Sequence, residues 1–128
     1  MDVTQIGLFA LADKRLAWLD RRQEVLAHNV ANADTPGWRP RDLGPFAATL
    51  SATGGIAPVQ TRTNHLPGTQ AATPPDVVGR PSERAPDGNA VSMQEQLMKV
   101  ANTESSQELV TNLYAKYLGF FRLALGHS

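Results

Sequence analysis

The hydrophobic residues near the start of the chain repeat with the period of a helix that has a buried side. Between residues 3 and 32, one set recurs at alternating intervals of three and four, which places it along a single helical face. This set is Phe9, Ala12, Leu16, Leu19, Gln23, Leu26 and Val30. A weaker second stripe consists of Leu8, Leu11, Trp18 and Val25. The pattern predicts one long N-terminal helix with neighbours on more than one side.

A second long helix is predicted near the end of the chain, from about Met93 to Leu125. Ser92 followed three residues later by Glu95 is typical of a helix start. Gly126 suits a helix end, because glycine readily adopts the left-handed conformation found there. Apolar residues cover nearly half of the circumference as neighbouring pairs, namely Leu109/Val110, Leu113/Tyr114, Tyr117/Leu118 and Phe120/Phe121. One partner helix cannot cover that much apolar surface, so the pattern favours an assembling protein.

The segment between the two helices, residues 45–90, has a different composition. It holds seven of the nine prolines and five of the ten glycines of the chain. Proline removes backbone hydrogen-bond donors and glycine resists ordering, so long helices and central strands are not expected. We predict an irregular, mobile segment with room for a short strand or hairpin.

These patterns together predict an all-α fold. Two long terminal helices pack as a helical hairpin or coiled coil, with the irregular Pro/Gly-rich segment between them. The predicted organisation is an N-terminal helix and turn over residues 1–44, the middle segment over 45–90, and a C-terminal helix over 91–128.

Charge and composition exclude several classes of function. Twelve basic residues balance twelve acidic ones without a basic stripe, so no nucleic-acid partner is expected. There is no cysteine, which excludes disulfides and thiolate metal sites. No apolar run approaches the roughly 18 residues of a membrane span, so we expect a chain that does not cross a membrane. Asp13, Lys14 and Arg15 interrupt the first apolar stretch, so a cleavable secretory signal is not expected.

Residues for catalysis or metal binding are not apparent. His28, His65 and His127 lie in different segments and lack the spacing of metal ligands. Paired carboxylates such as Asp20 and Glu24 can perform acid–base chemistry, but here they fit a solvated helix face better. We therefore predict no catalytic, cofactor-binding or metal-binding residue and no cofactor, and do not expect an enzyme.

Residues 29–38 carry the most specific pattern in the chain. They read Asn-Val-Ala-Asn-Ala-Asp-Thr-Pro-Gly-Trp. Pro36 followed by Gly37 is the pattern of a type II turn, since glycine accepts positive φ freely. Thr35 is extended because it precedes proline, and Asn32 can cap helix carbonyls. Local physics alone thus predicts a helix end followed by a turn.

This stretch resembles the signature of flagellar rod and hook axial proteins. The matching residues are Asn29, Ala31, Asn32, Thr35, Pro36, Gly37 and Trp38, where the last stands in place of the more common tyrosine or phenylalanine. Further segments resemble the flagellar basal-body rod proteins of the FlgB (proximal rod) type, namely residues 41–43, 46–50, 88–96 and 113–122. The resemblance covers both ends, roughly two-thirds of the chain.

The resemblance implies a structural subunit of the bacterial flagellar basal-body rod. Such a subunit is exported by the flagellar type III apparatus and assembles in the periplasmic space through its terminal helices. It is required for flagellum assembly and motility. Its implied partners are other rod subunits, further copies of itself, basal-body components and the export apparatus. The alternatives are another axial rod protein, or a helical export chaperone or adaptor.

Two sets of residues follow as candidates for these roles. For the assembly interface, we expect three leucines of the first helix to face three residues of the second, in the same or a neighbouring subunit. These residues are Leu16, Leu19, Leu26, Leu113, Tyr117 and Phe120. For export, Phe46 and Leu50 fit the Phe-x-x-x-aliphatic element of early export substrates. Phe121 and Leu125 fit it too, and simple packing of Phe46 is the alternative.

Overall fold

Two long helices packed against each other dominate the structure, a computed structural model that describes residues 7–53, 77–78 and 91–126. The elements in chain order are α1 (Gly7–Ala31), β1 (Arg41–Asp42), α2 (Phe46–Thr53), β2 (Val77–Val78) and α3 (Met93–Ala124). At 1.5 Å per residue, α1 and α3 are about 38 and 48 Å long. They make by far the most extensive contact between elements. The predicted all-α fold is confirmed.

The predicted inward stripe of α1 is confirmed residue by residue. Phe9, Leu19 and Leu26 are buried, and the other members of the stripe are half-buried. The weaker second stripe is only partly buried, because Val25 is buried whereas Leu8 is exposed. The predicted start of this helix, residues 3–6, lies outside the described residues.

Both ends of α3 follow their sequence signals. The Ser92 hydroxyl accepts a hydrogen bond from the Glu95 backbone N–H at 3.4 Å, as expected of a helix cap. At the other end, Gly126 has a φ of 71° and its N–H donates to the Leu123 carbonyl at 3.1 Å. That left-handed residue turns the chain away from the helix axis.

The middle segment begins with a helix that its composition did not predict. Residues 46–53 read Phe-Ala-Ala-Thr-Leu-Ser-Ala-Thr, without proline or glycine, and form α2. The helix follows Pro45, a residue that suits a helix start, and stops before Gly54-Gly55. The expectation of an irregular segment from residue 45 onward is therefore wrong for 46–53, since proline and glycine concentrate only after it.

The same segment also supplies a short strand, as expected. β2 pairs antiparallel with β1, with Val78 opposite Arg41 and Val77 opposite Asp42. The rest of the middle segment, residues 54–76 and 79–90, lies outside the described residues. None of the helices in the described part of the chain is long and apolar enough to cross a membrane.

Candidate assembly surface

The chain leaves α1 through the predicted type II turn. Gly37 has a φ of 74°, and the Trp38 N–H donates to the Thr35 carbonyl at 3.2 Å across Pro36. The Asn32 side chain donates to the His28 carbonyl at 2.8 Å, which satisfies an acceptor that the helix end leaves open. The turn reverses the chain, so that β1 runs back along α1.

Asn29 joins three elements at this end of the helix pair. Its Nδ2 group donates to the Arg41 carbonyl at 2.6 Å and to Gln96 Oε1 at 2.9 Å, while its Oδ1 accepts from the Arg41 N–H at 2.9 Å. Asn29 and Gln96 are each only 1% exposed. A buried amide is costly unless its groups are paired, and Asn29 pairs its donor and acceptor groups by linking α1, β1 and α3.

An ion cluster centred on Asp42 lies beside this amide network. Arg22 binds the Asp42 carboxylate through two nitrogens, at 2.9 and 3.0 Å, and Lys99 Nζ lies 3.7 Å from it. Burial alone would raise the pKa of Asp42. The hydrogen bonds and positive charge of Arg22 lower it by a larger amount, so the pKa lies below its ordinary value. The cluster holds an ionised carboxylate between the two helices.

The side chain that anchors α2 is Phe46. Its ring lies 6.0 Å from that of Trp18, and the Arg15 guanidinium lies 4.8 Å from the Phe46 centroid and 4.7 Å from that of Trp18. Such cation–π contacts are attractive because the ring faces carry negative potential. The Trp18 indole also donates to the Gly44 carbonyl at 3.2 Å. Phe46 therefore has a packing role in the folded subunit, and Leu50 is half-buried.

Aromatic contacts close the opposite end of the helix pair. The Phe9 ring lies 4.9 Å from Tyr114 in an edge-on arrangement and 5.6 Å from Phe121. Since the start of α1 meets the end of α3 here, and Asn29 meets Gln96 at the other end, the helices run antiparallel. Thus α3 turns Tyr114 and Phe121 toward α1.

This orientation leaves an outward stripe on α3 uncovered within the subunit. Its members are Leu109, Leu113, Tyr117 and Phe120, which are 60, 44, 41 and 54% exposed. Leu113 and Tyr117 also line an apolar groove of about 250 Å³ together with Leu8 and Leu11 of α1. The stripe and groove form a continuous apolar surface of the kind that marks protein contacts.

The predicted interface residues therefore fall into two groups. Leu19 and Leu26 are buried and Leu16 is half-buried inside the subunit, whereas Leu113, Tyr117 and Phe120 are exposed. Within one subunit, the residues that meet Phe9 are instead Tyr114 and Phe121. Contact of the exposed three with a neighbouring subunit stays a prediction.

The contacts of Asn29, Asp42 and Arg15 were not predicted from the sequence. The available signal was chemical: an asparagine beside the apolar stripe of α1, and an Arg-Asp pair immediately after a turn that sends the chain back along that helix. In the part of the chain that the structure describes, no group of three or more histidine, aspartate or glutamate side chains could hold a metal ion.

Comparison with known proteins gives a consistent result. A family model for flagella basal body rod proteins matches residues 12–39, which span most of α1 and the turn. The chain is 31% identical over 117 residues to flagellar basal body rod protein FlgB of Agrobacterium fabrum, covering 88% of this chain and 87% of that protein. It is 33% identical over 117 residues to FlgB of Salmonella typhimurium, covering 83% and 84%. It is 38% identical over 100 residues to FlgB of Escherichia coli, covering 70% and 71%.

Proposed function

The chain belongs to the FlgB family of flagellar basal body rod proteins, and we propose from this premise that it is a structural subunit of the rod that joins its neighbours through the outward stripe of α3. The stripe is exposed beside the buried contact between α1 and α3, here called the seam, and this exposure supports the proposal. Membership of a structural family fits a chain without a catalytic role.

The exposed area is large enough to stabilise a joint. Complete burial of one large apolar side chain contributes roughly 1.5–3 kcal/mol, and the stripe offers four such side chains that are two-fifths to three-fifths exposed. The groove beside it is shaped to receive an apolar side chain of a neighbour. A contact between two different surfaces repeats head to tail without closing, which builds a rod from many copies.

The same proposal covers the route to the rod. The subunit is exported by the flagellar type III apparatus and assembles in the periplasmic space, in the proximal part of the rod. Its partners are other rod subunits, further copies of itself and the export apparatus. The family resemblance supports each of these points.

Substitution of Phe120 tests the joint. Because Phe120 is 54% exposed, Phe120→Asp leaves the seam of the subunit intact but puts a charge into the proposed joint. We expect the variant to be exported and to collect in the periplasmic fraction, with little in purified basal bodies and no swimming. Ala115→Asp is the matched control, since Ala115 is exposed on another face of α3. Normal incorporation of Phe120→Asp would refute the proposed joint.

Export through Phe46 and Leu50 needs a separate test, because Phe46 also packs against Trp18. Phe46→Ala is expected to lower secretion at unchanged intracellular levels. Trp18→Ala removes the same ring contact but leaves Phe46 in place, so it is expected to secrete normally. Equal losses of secretion in both variants would indicate that Phe46 acts through packing and is not an export signal. Normal secretion of Phe46→Ala beside a loss for Phe121→Ala would move the signal to the other end of the chain.

A further inference from the structure

Apolar burial alone does not decide which side of α3 faces α1. Its apolar residues come as neighbouring pairs, and neighbours on a helix are about 100° apart. A rotation of α3 by that angle would exchange Tyr114 and Phe121 for Leu113 and Phe120 in the seam. Phe120 and Phe121 are the same residue type, and Leu113 and Tyr114 are both large and mainly apolar, so either arrangement would bury large apolar side chains. Something else must select the observed one.

The polar half of the seam, unlike the apolar half, fits only one rotational position of α3. Within α3, the fully buried side chains are Gln96 and Thr103. Thr103 donates its hydroxyl hydrogen to the Lys99 carbonyl of its own helix at 2.8 Å, a bond that survives any rotation. Gln96 instead binds Asn29 across the seam at 2.9 Å, and only when it points inward. The same rotation would replace Gln96 with Glu95 and bring a carboxylate into a buried position.

We propose that Asn29 and Gln96 form a register lock that selects which face of α3 is buried and therefore which face is presented to neighbouring subunits. Asn29 is itself held on both sides by the Arg41 backbone, so it offers a fixed donor to one rotational position of α3. A buried polar pair that fixes the register of packed helices has precedent in coiled coils. The lock is a property of the subunit itself, and only its consequence for assembly rests on the proposed function.

Pulsed electron paramagnetic resonance on the full chain can test the lock directly. The chain contains no cysteine, so nitroxide labels can be placed at will. One label is placed at the exposed Ala17 of α1 and the other at Thr111 or Asn112 of α3, both exposed. Rotation that brings Leu113 inward turns Thr111 away from α1 and Asn112 toward it. The two label pairs then shift in opposite directions, which general loosening does not produce.

The release variant is Glu95→Ala/Gln96→Ala, which removes both the native bond and the carboxylate that opposes rotation. Alanine favours helix, so helix content by circular dichroism should be unchanged. We expect one distance for each label pair in the wild type. In the release variant we expect a second distance, longer for Thr111 and shorter for Asn112.

Two further variants complete the test. Glu95→Ala alone keeps the Gln96 bond to Asn29 and should keep one distance. Thr103→Val removes a buried polar group that bonds only within α3, and should keep one distance. A single unchanged distance in the release variant, a loss of its helix content, or a second distance in the wild type or in Thr103→Val would each overturn the lock.

Assembly gives an independent measurement. A release variant with two distances should swim poorly, because part of its population presents the wrong face. If it shows two distances but swims normally, the register lock holds and the proposed role of the outward stripe in the rod is wrong.

Discussion

The two ends of the helix pair hold together by different chemistry. At one end, Phe9 packs against Tyr114 and Phe121. At the other, Asn29 bonds to Gln96, and Asp42 lies between Arg22 and Lys99. Aromatic packing removes more apolar area from water but tolerates more than one arrangement. Hydrogen bonds contribute less net energy but allow only one. Stability and geometry thus have separate sources in this subunit.

The aromatic end should show the largest loss of stability. Phe9 is 1% exposed, so Phe9→Ala leaves a cavity beside two rings and should lower the free energy of unfolding by about 3–5 kcal/mol. Urea unfolding followed by circular dichroism measures it. Leu8→Ala is the control. Leu8 is the neighbour of Phe9 but is 45% exposed, so truncation there should cost much less. Equal losses would mean that Phe9 is not part of the core.

The amide network should show an intermediate loss. Asn29→Ala leaves the buried Gln96 amide and the Arg41 backbone groups without their partner, at a cost of roughly 1–3 kcal/mol. The same urea titration measures this loss. Asn32→Ala is the matched control, since the Asn32 side chain bonds near the surface and its loss should cost less. A larger loss for Asn32→Ala would reverse this assignment of roles.

The ion cluster should contribute least to stability, and its contribution should disappear in acid. The pKa of Asp42 is lower in the folded protein than in the unfolded chain, so its contribution is present above about pH 3.9 and disappears as the pH falls toward the folded value. Partly exposed ion pairs contribute up to about 1 kcal/mol. In Asp42→Asn, stability should change less between pH 5 and pH 3 than in the wild type. Parallel pH profiles would show that the cluster adds nothing.

The sequence predicted the helices well because their signals are local. The 3–4 spacing of Phe9 to Val30, the Ser92 cap and the Pro36-Gly37 turn each depend on a few neighbouring residues. It did not predict α2, because the proline and glycine content was averaged over residues 45–90 and hid eight residues that contain neither.

The buried face of α3 depends on a contact that no local pattern contains. Gln96 and Asn29 are 67 residues apart, and the neighbouring apolar pairs at residues 109–121 fit either face. The predicted interface residues Leu113, Tyr117 and Phe120 were selected by the same spacing rule that fits Tyr114 and Phe121. Only tertiary contacts separate the two sets.

We propose that the outward stripe lies at a joint between rod subunits. Photo-crosslinking in purified basal bodies tests it most directly, with a benzophenone amino acid placed at Tyr117 or at the exposed Ala115 on another face of α3. We expect the probe at Tyr117 to form crosslinks to neighbouring rod subunits in high yield and the probe at Ala115 to form few. Crosslinks from Ala115 but not from Tyr117, in a strain that swims, would contradict it.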